Sequence, residues 1–225
     1  SDELRVKLVP LLASEGLKLD DVRGVALASV VPALTMAWCA AAYRMIGKDA
    51  LVCSAETAGS LFEADYPNPH EIGADRVADA VAAKALYGAP VIVVDFGTAT
   101  NMEVVDADGR FIGGVIAPGV ETSASALFSH ATKLGAIDLV DPHTAIGHNT
   151  EEAIQAGIVY GEADRVDGII RCIFAQLGYE TPVVATGGLA SRVAAQSQTI
   201  TAINPELTLE GLRLVYEAQE GAASV

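Results

Sequence analysis

The hydrophobic pattern of the chain is organised around residues 90–119. A β-branched apolar run at 91–94, bounded by glycine and proline, predicts a buried strand. Residues 103–105 and 111–117 predict two further strands, and the Asp-Ala-Asp-Gly sequence at 106–109 predicts a tight turn between them. This part of the chain is therefore predicted to form a meander of three strands.

The patterns on either side of the meander predict helices, strands and a loop. The predictions before it are a helix over the first 12 residues, a strand at 22–31, a helix at 34–46, a short strand at 50–53, a loop at 54–72 and a helix at 73–87. The predictions after it are a helix from Thr122 or Ser123 to Leu134, a loop at 135–147, and a helical stretch from Asn149 to about Leu177, with a break near Gly161 as an alternative. A strand at 183–186 leading into a glycine pair and a helix follows, and then a last helix at 209–218. This alternation predicts an α/β fold with a mixed sheet in each of two lobes, 1–89 and 90–225.

Composition and charge narrow the function classes. At 51% hydrophobic and 19% charged, 225 residues suffice for a sizeable core. A net charge of −15 disfavours nucleic acid as a partner, because phosphate binding needs clustered Lys and Arg. The apolar runs are interrupted before membrane-spanning length and no leader is apparent, so we expect no membrane anchor and a cytoplasmic protein. Cys39, Cys53 and Cys172 lie far apart and are predicted to be buried thiols.

A phosphate or cation site is predicted at the end of the first meander strand. Asp95 is followed by Gly97, Thr98 and Thr100, which supply a carboxylate, a permissive backbone and two hydroxyls. A plain structural turn is the alternative. The glycine pair Gly187-Gly188 after a strand also indicates close approach to a nucleotide, with an ordinary strand-to-helix turn as its alternative. Neither a Walker A sequence nor a Rossmann glycine fingerprint is present.

A second chemical cluster lies at Gly73-Ala74-Asp75-Arg76, at the predicted start of a helix. The carboxylate of Asp75 is a potential proton acceptor and the guanidinium of Arg76 a potential anion binder. From the residues alone, a solvated helix cap is the alternative. Gly157 and Gly161 lie one helical turn apart and allow close approach of another helix, either from a second subunit or within the chain.

Taken together, these motifs resemble those of the type III pantothenate kinases, members of the actin and sugar-kinase superfamily. The resemblance covers nearly the whole chain and rests on ASVVP at 28–32, EIGADR at 71–76, VVDFGTAT at 93–100, GGVIAPG at 113–119, IGHNT at 146–150, ATGGLA at 185–190 and ELTLEGLRLVYE at 206–217. It implies a two-lobed actin-like, ribonuclease H-like fold and ATP-dependent phosphorylation of pantothenate to 4'-phosphopantothenate, the first step towards coenzyme A. It also implies Mg2+ with ATP, a monovalent cation such as potassium or ammonium, and a homodimer.

The resemblance also implies roles for individual residues. Asp75 is expected to accept the proton of the pantothenate hydroxyl. The pantothenate site is expected to comprise Tyr66, Gly73, Ala74, Asp75, Arg76 and, from the partner subunit, Thr150. Asp95 is expected to hold the monovalent cation. ATP is expected at Gly97 and Thr98 through its phosphates, and at Gly187 and Gly188 through its adenosine.

Two departures from the family pattern leave an alternative function open. The family begins with a strand and a D-x-G-N-T phosphate loop, whereas this sequence starts after that point, and we expect a preceding segment in the protein. The usual T-F-D after Thr100 is replaced by Asn101-Met102-Glu103. The alternative is a catalytically silent, kinase-like regulator or pantothenate-binding protein. A third reading is a kinase of another small hydroxylated acid or sugar.

Overall fold

The computed structural model describes residues 2–130 and 137–223. The helices are α1 (Asp2–Ser14), α2 (Pro32–Ile46), α3 (Ala55–Ala58), α4 (Ala74–Tyr87), α5 (Val120–His130), α6 (Thr150–Leu177), α7 (Ala190–Ala194) and α8 (Leu207–Ala223). The strands are β1 (Ala26–Leu27), β2 (Leu51–Val52), β3 (Glu63–Ala64), β4 (Val91–Phe96), β5 (Ala99–Val105), β6 (Arg110–Pro118), β7 (Val183–Thr186) and β8 (Ala202–Ile203).

The chain divides into two compact units. The first unit comprises Ser1–Ala82 and Thr208–Val225, and the second comprises Ala83–Leu207. The sequence-based lobes 1–89 and 90–225 stay a prediction. The two divisions differ mainly in helix α8. Its contacts assign nearly all of this helix to the first unit.

In the first unit, β1 and β2 pair in parallel, with Ala26 opposite Leu51. The predicted strand at 22–31 is much shorter in the structure, where only Ala26–Leu27 has strand geometry. The predicted loop at 54–72 was wrong in part, because it contains α3 and β3. Helix α3 has a single turn, capped by the Ser54 hydroxyl, which accepts a hydrogen bond from the Thr57 amide at 3.1 Å. An element this short has no hydrophobic periodicity to detect.

Helix α4 confirms the prediction from the glycine-bounded pattern at 73–87. It ends at Tyr87, before Gly88 with φ +81°. A left-handed conformation of this kind suits glycine and ends helices. Asp79, buried on this helix, accepts a hydrogen bond from the Thr208 hydroxyl at 2.6 Å. This contact anchors the N-terminal half of α4 to α8 within the first unit.

In the second unit, five strands lie side by side in the order β6-β5-β4-β7-β8. The β4-β5 and β5-β6 pairs are antiparallel, whereas β4-β7 and β7-β8 are parallel. The predicted meander and a mixed sheet are therefore confirmed here. Ile92, Val94 and Phe96 of β4 pack in one core with Val166 and Ile170 of α6.

The long helix α6 is continuous through Gly161 to Leu177. Its N-cap is Asn149, as predicted, and the Asn149 side chain accepts a hydrogen bond from the Glu152 amide at 2.9 Å. Helix α5 begins at Val120 rather than at residue 122 or 123. The predicted end of α5 at Leu134 lies outside the described residues.

The three cysteines differ in exposure. Cys53 is buried as predicted, Cys39 is half-buried, and Cys172 is exposed, so the prediction for Cys172 was wrong. Cys172 lies on the solvent-exposed side of α6, although the residues around it in the sequence are largely apolar. Within residues 2–130 and 137–223, no helix is both long enough and apolar enough to span a bilayer.

Asp167 on α6 yields a stability prediction. This buried carboxylate accepts hydrogen bonds from the Ser197 hydroxyl and from the Gln198 and Thr199 amides. Burial alone raises the pKa of Asp167, but these hydrogen bonds together lower it below its ordinary value. Asp167→Asn places an amide NH2 group against donors, and we expect it to cost about 1–3 kcal/mol in the free energy of unfolding at pH 7.

Because the folded-state pKa is depressed, this stabilisation is present above the ordinary aspartate pKa, about 4, and is lost as the pH falls below it. The difference between wild type and Asp167→Asn should therefore shrink in denaturant titrations run at progressively lower pH. The matched control is Asp164→Asn, an exposed carboxylate on the same helix, which should cost little at any pH. Equal stability of Asp167→Asn and wild type at pH 7 contradicts this role.

Candidate active site

The turn between β4 and β5 is held by hydrogen bonds to its backbone. Gly97 and Thr98 form its exposed tip, and Asp95 lies half-buried at the end of β4. The Thr98 carbonyl accepts one hydrogen bond from the Gly119 amide at 3.0 Å and another from the Thr122 hydroxyl at 2.6 Å. The tip is therefore fixed on its inner side, while the Thr98 side chain faces solvent.

Two glycines outside the turn pack directly against it. A Cβ at Gly119 would lie 2.3 Å from the Gly97 carbonyl oxygen and 2.6 Å from that of Thr98. A Cβ at Gly187 would lie 2.5 Å from a carboxylate oxygen of Asp95, and Gly187 has φ +91°. Both positions therefore require glycine, because any side chain would displace the turn or Asp95.

Gly97 and Gly188 differ from these two glycines. A Cβ at Gly97 would meet its nearest atom, the Ala99 carbonyl oxygen, at an ordinary 3.6 Å. Among the described residues, no atom lies within 4 Å of a Cβ placed at Gly188. The fold itself does not demand glycine at these two exposed positions, so the space above them is available to a ligand.

Thr100 does not contribute to the exposed tip. It is fully buried on β5, and its hydroxyl donates to Glu162 of α6 at 2.6 Å. The expectation that both hydroxyls of this turn serve a phosphate was therefore wrong for Thr100. The reason is strand alternation, which turns Thr100 towards the core packed against α6.

Two oxygen-bearing side chains share the sheet face of Asp95, opposite to the face of Thr100. Asn101 is the register partner of Asp95 on β5, and Thr186 is its register partner on β7. The Oδ1 atom of Asn101 and the Oγ1 atom of Thr186 are buried and have no hydrogen bond partner among the described residues. Glu103 lies further along the same face, fully buried opposite Val93, and is not part of the turn. This set of oxygens fits a cation, since hard cations prefer oxygen ligands.

The second group of predicted site residues lies at the start of α4, in the first unit. Asp75 is half-buried in the first turn of the helix, and its Oδ1 atom accepts a hydrogen bond from the Arg76 amide at 2.9 Å. A Cβ at Gly73 would lie 2.5 Å from this Oδ1 atom, so glycine makes room for the carboxylate. Arg76 and Tyr66 are also half-buried, and Ala74 is buried.

The buried Cys53 thiol lies close enough to the Asp75 carboxylate to be affected by its charge. Burial and, as the second cause, the negative charge of Asp75 raise the pKa of the Cys53 thiol to about 11. The Asp75 carboxylate therefore lies within electrostatic range of a buried side chain rather than being fully surrounded by water. A half-buried carboxylate at the start of a helix can accept a proton from a hydroxyl bound beside it.

Thr150, the remaining predicted site residue, is the first residue of α6 and is exposed. It lines an open groove of about 800 Å³ formed by α5, the loop before α6 and the first two turns of α6. The groove is largely apolar, with Leu127, Ile154 and Ile158 in its walls and Gly157 beside them.

The predicted site residues thus form two groups within the second unit and one within the first. Gly97, Thr98 and Gly187 gather around Asp95, Thr150 lies in the groove, and residues 73–76 form the third group. Sequence reasoning missed the packing role of Gly119 and the oxygens of Thr186 and Asn101. Thr186 carried a sequence signal, since it lies at a strand end immediately before the glycine pair, and Gly119 and Asn101 lie within the motif and the departure noted above.

Comparisons with known proteins identify the family. The family model described as type III pantothenate kinase matches residues 1–172, which include the α4 start, the β4-β5 turn and Thr150. The chain belongs to the type III pantothenate kinase family. The type III pantothenate kinase of Thermomicrobium roseum is 45% identical over 217 residues, covering 96% of this chain and 83% of its relative. That of Acidobacterium capsulatum is 45% identical over 223 residues, covering 99% and 81%.

Solved structures agree on the fold of this pantothenate kinase family member. A protein from Campylobacter jejuni described as a Baf family transcriptional activator has a TM-score of 0.56 at 17% identity, covering 90% of this chain and 87% of that one. A ROK family transcriptional regulator has a TM-score of 0.50 at 11% identity, covering 96% and 68%. These likenesses show the fold alone, and the actin-like α/β fold expected from the sequence is confirmed.

The glycine contacts predict that one of two alanine substitutions lowers stability and that the other leaves it nearly unchanged. Gly119→Ala forces its methyl group into the backbone of residues 97 and 98, and we expect it to lower the free energy of unfolding by about 1–3 kcal/mol. Gly97→Ala meets no close atom of the described chain and should change it by no more than about 0.5 kcal/mol. Denaturant titration of the two variants checks this difference. Equal losses in the free energy of unfolding would show that Gly119 is not packed tightly against the turn.

Proposed function

We infer that this chain phosphorylates pantothenate with ATP, giving 4'-phosphopantothenate in the first step towards coenzyme A. The observation that carries this inference is the family match over residues 1–172, which contains both the carboxylate at the start of α4 and the glycine-bearing turn after β4. The curated relatives described above bear the name type III pantothenate kinase.

Asp75 is the proposed proton acceptor. Transfer of a phosphoryl group to an alcohol requires an oriented hydroxyl with a carboxylate within hydrogen-bonding distance. The Asp75 Oδ1 atom is engaged by the Arg76 amide, and its Oδ2 atom accepts no hydrogen bond from the described residues. Oδ2 is thus available to receive the hydroxyl proton as the oxygen attacks the γ-phosphorus.

The pantothenate site is proposed around the same helix start. The Arg76 guanidinium suits the pantothenate carboxylate, because a planar pair of donors matches a carboxylate in two hydrogen bonds. Gly73 and Ala74 offer backbone at the first turn of α4, and the half-buried Tyr66 supplies a ring edge and a hydroxyl. Support for this assignment comes from the motif match and from the clearance that Gly73 gives to Asp75.

ATP is proposed to bind along the second unit's phosphate turn as its Mg2+ complex. The exposed Thr98 hydroxyl and the backbone at Gly97 face the phosphates. Gly188 has open space for the adenosine, whereas Gly187 contributes by its close packing against Asp95. Gly187 therefore shapes the site more through Asp95 than through direct contact with the nucleotide.

We further propose that Asp95 holds a monovalent cation, potassium or ammonium. The oxygens of Asn101 and Thr186 beside it are buried, and no described residue donates a hydrogen bond to them, so they suit a cation as additional ligands. A cation bound there supplies positive charge near the phosphates. Asp95 contributes the negative charge that favours the cation at this edge of the sheet.

A homodimer is proposed through the groove beside Thr150. In the part of the chain that the structure describes, no atom lies within 4 Å of a Cβ at Gly157 or Gly161, so this face of α6 is open. A second subunit packed there would lie next to Thr150, and we propose that Thr150 contacts the partner's pantothenate, as the family resemblance implies. The proposed dimer thus brings a residue to the site as well as covering an apolar groove.

None of the comparisons supports the alternative of a silent regulator for this chain, since its curated relatives carry a kinase name. The regulator names among the structural neighbours belong to proteins of 17% identity or less and bear on the fold alone. The reaction uses ATP, and the cytoplasm is the location that we propose for it.

Asp75→Asn tests the proposed function. Without a proton acceptor, we expect kcat for pantothenate phosphorylation to fall about 10²-fold or more, with the melting temperature unchanged. Coupled measurement of ADP release, with pantothenate and with other small hydroxy acids as acceptors, gives both turnover and substrate preference.

The matched control is Asp79→Asn, one turn further along α4, which should reduce stability through its Thr208 contact but keep kcat within about threefold. Near-normal turnover of Asp75→Asn would remove this residue from the mechanism. Preference for another acceptor would overturn the substrate assignment while leaving the kinase reading intact.

Thr186→Val tests the cation site. The substitution removes an oxygen that has no hydrogen bond partner among the described residues, so we expect stability to be kept or slightly raised. The potassium concentration for half-maximal activity should rise about tenfold, as expected for one lost cation ligand of about 1.4 kcal/mol. Potassium titration of the activity measures this value, with Thr201→Val, whose hydroxyl is hydrogen-bonded to the Val183 backbone, as a control. An unchanged potassium requirement would exclude Thr186 as a ligand.

A further inference from the structure

A buried chain of polar side chains lies beneath the phosphate turn, and the proposed mechanism does not use it. It consists of Thr100, Glu162 and Arg165, and we call it the buried polar chain. Thr100 is fully buried and Glu162 is 5% exposed. A carboxylate removed from water in this way is stable only when it is paired and hydrogen-bonded.

Both carboxylate oxygens of Glu162 are engaged. Oε1 accepts the hydrogen bond from the Thr100 hydroxyl at 2.6 Å, and Oε2 forms an ion pair with Nη2 of Arg165 at 2.5 Å. The same Nη2 atom donates to the Pro118 carbonyl at 2.7 Å. A single carboxylate on α6 thereby reaches two strands of the sheet.

These two contacts lie on either side of the phosphate turn. Thr100 is opposite Phe96 and closes the β4-β5 turn, whereas Pro118 is opposite Ala99 and precedes Gly119. Gly119 in turn donates its amide hydrogen to the Thr98 carbonyl at 3.0 Å. The position of Thr98 is therefore set from β5 by Thr100 and from β6 by Pro118, and both depend on Glu162.

We propose that Glu162 is a positioning residue that fixes the ATP-phosphate turn to helix α6. Glu162 acts through Thr100 and Arg165 and does not itself touch ATP. Without the buried polar chain, the turn is free to shift by the fraction of an ångström that separates a good phosphate contact from a poor one. This inference rests on the proposed function in one respect, namely that ATP binds at Gly97-Thr98.

The ATP dissociation constant of the full chain, measured by titration calorimetry without pantothenate, tests the proposal separately from turnover. Thr100→Val keeps the β-branched shape but removes the donor, and Glu162→Gln removes the charge. We expect each to weaken ATP binding about tenfold, and the double variant to be little worse than either single variant because both break the same connection. Thr100→Ser, which keeps the donating hydroxyl, should bind ATP within about twofold of wild type.

Asp167→Asn is the matched control. Asp167 is a second buried carboxylate on α6, but its partners are Ser197, Gln198 and Thr199 rather than residues of the turn. This variant should lose stability and keep the wild-type ATP dissociation constant. Arg165→Lys is a milder change, because the Arg165 side chain is 30% exposed. It should weaken ATP binding about threefold, and it provides a test even if Thr100→Val and Glu162→Gln do not fold.

The proposal is overturned if Thr100→Val, Glu162→Gln and Arg165→Lys retain wild-type ATP affinity, whatever their melting temperatures. It is also overturned if Asp167→Asn weakens ATP binding as much as they do, because the effect would then reflect general loss of stability. Wild-type protein that binds ATP but does not phosphorylate pantothenate would contradict the proposed substrate and leave the positioning role supported.

Discussion

Close packing of the turn at Gly97-Thr98 is the constraint on which the second unit's site depends. Gly119 touches the backbone of the turn, and Gly187 touches Asp95 with no room for a side chain at either position. Hydrogen bonds from Gly119 and Thr122 hold the Thr98 carbonyl. The exposed tip therefore has little conformational freedom. A rigid tip would bind a phosphate without first having to reorganise its backbone.

The sheet assigns opposite tasks to neighbouring residues of this turn. Strand alternation directs Thr100 towards α6, where Glu162 accepts its hydrogen bond, and directs Asp95 and Asn101 to the other face, beside Thr186. One face therefore fixes the geometry of the turn, while the other carries the oxygens that we propose as cation ligands.

Sequence reasoning predicted the elements whose signals are local and strong. The meander, α4 with its glycine stop and the Asn149 cap of α6 all follow from periodicity and capping chemistry. The strand at 22–31 was overestimated, because apolar β-branched residues favour extended backbone but cannot show how many of them pair. The resemblance named Asp75 and Asp95, whereas Glu162 and Thr186 were missed because their roles depend on contacts between residues far apart in sequence.

The identity of the phosphorylated atom is the most direct test of the central claim that this chain phosphorylates the primary hydroxyl of pantothenate with ATP. Purified full-length protein incubated with Mg-ATP, potassium and pantothenate should yield a product whose phosphorus couples, in phosphorus–proton NMR, to the protons beside the primary hydroxyl of pantothenate. Unchanged pantothenate, with or without release of free phosphate from ATP, would contradict it.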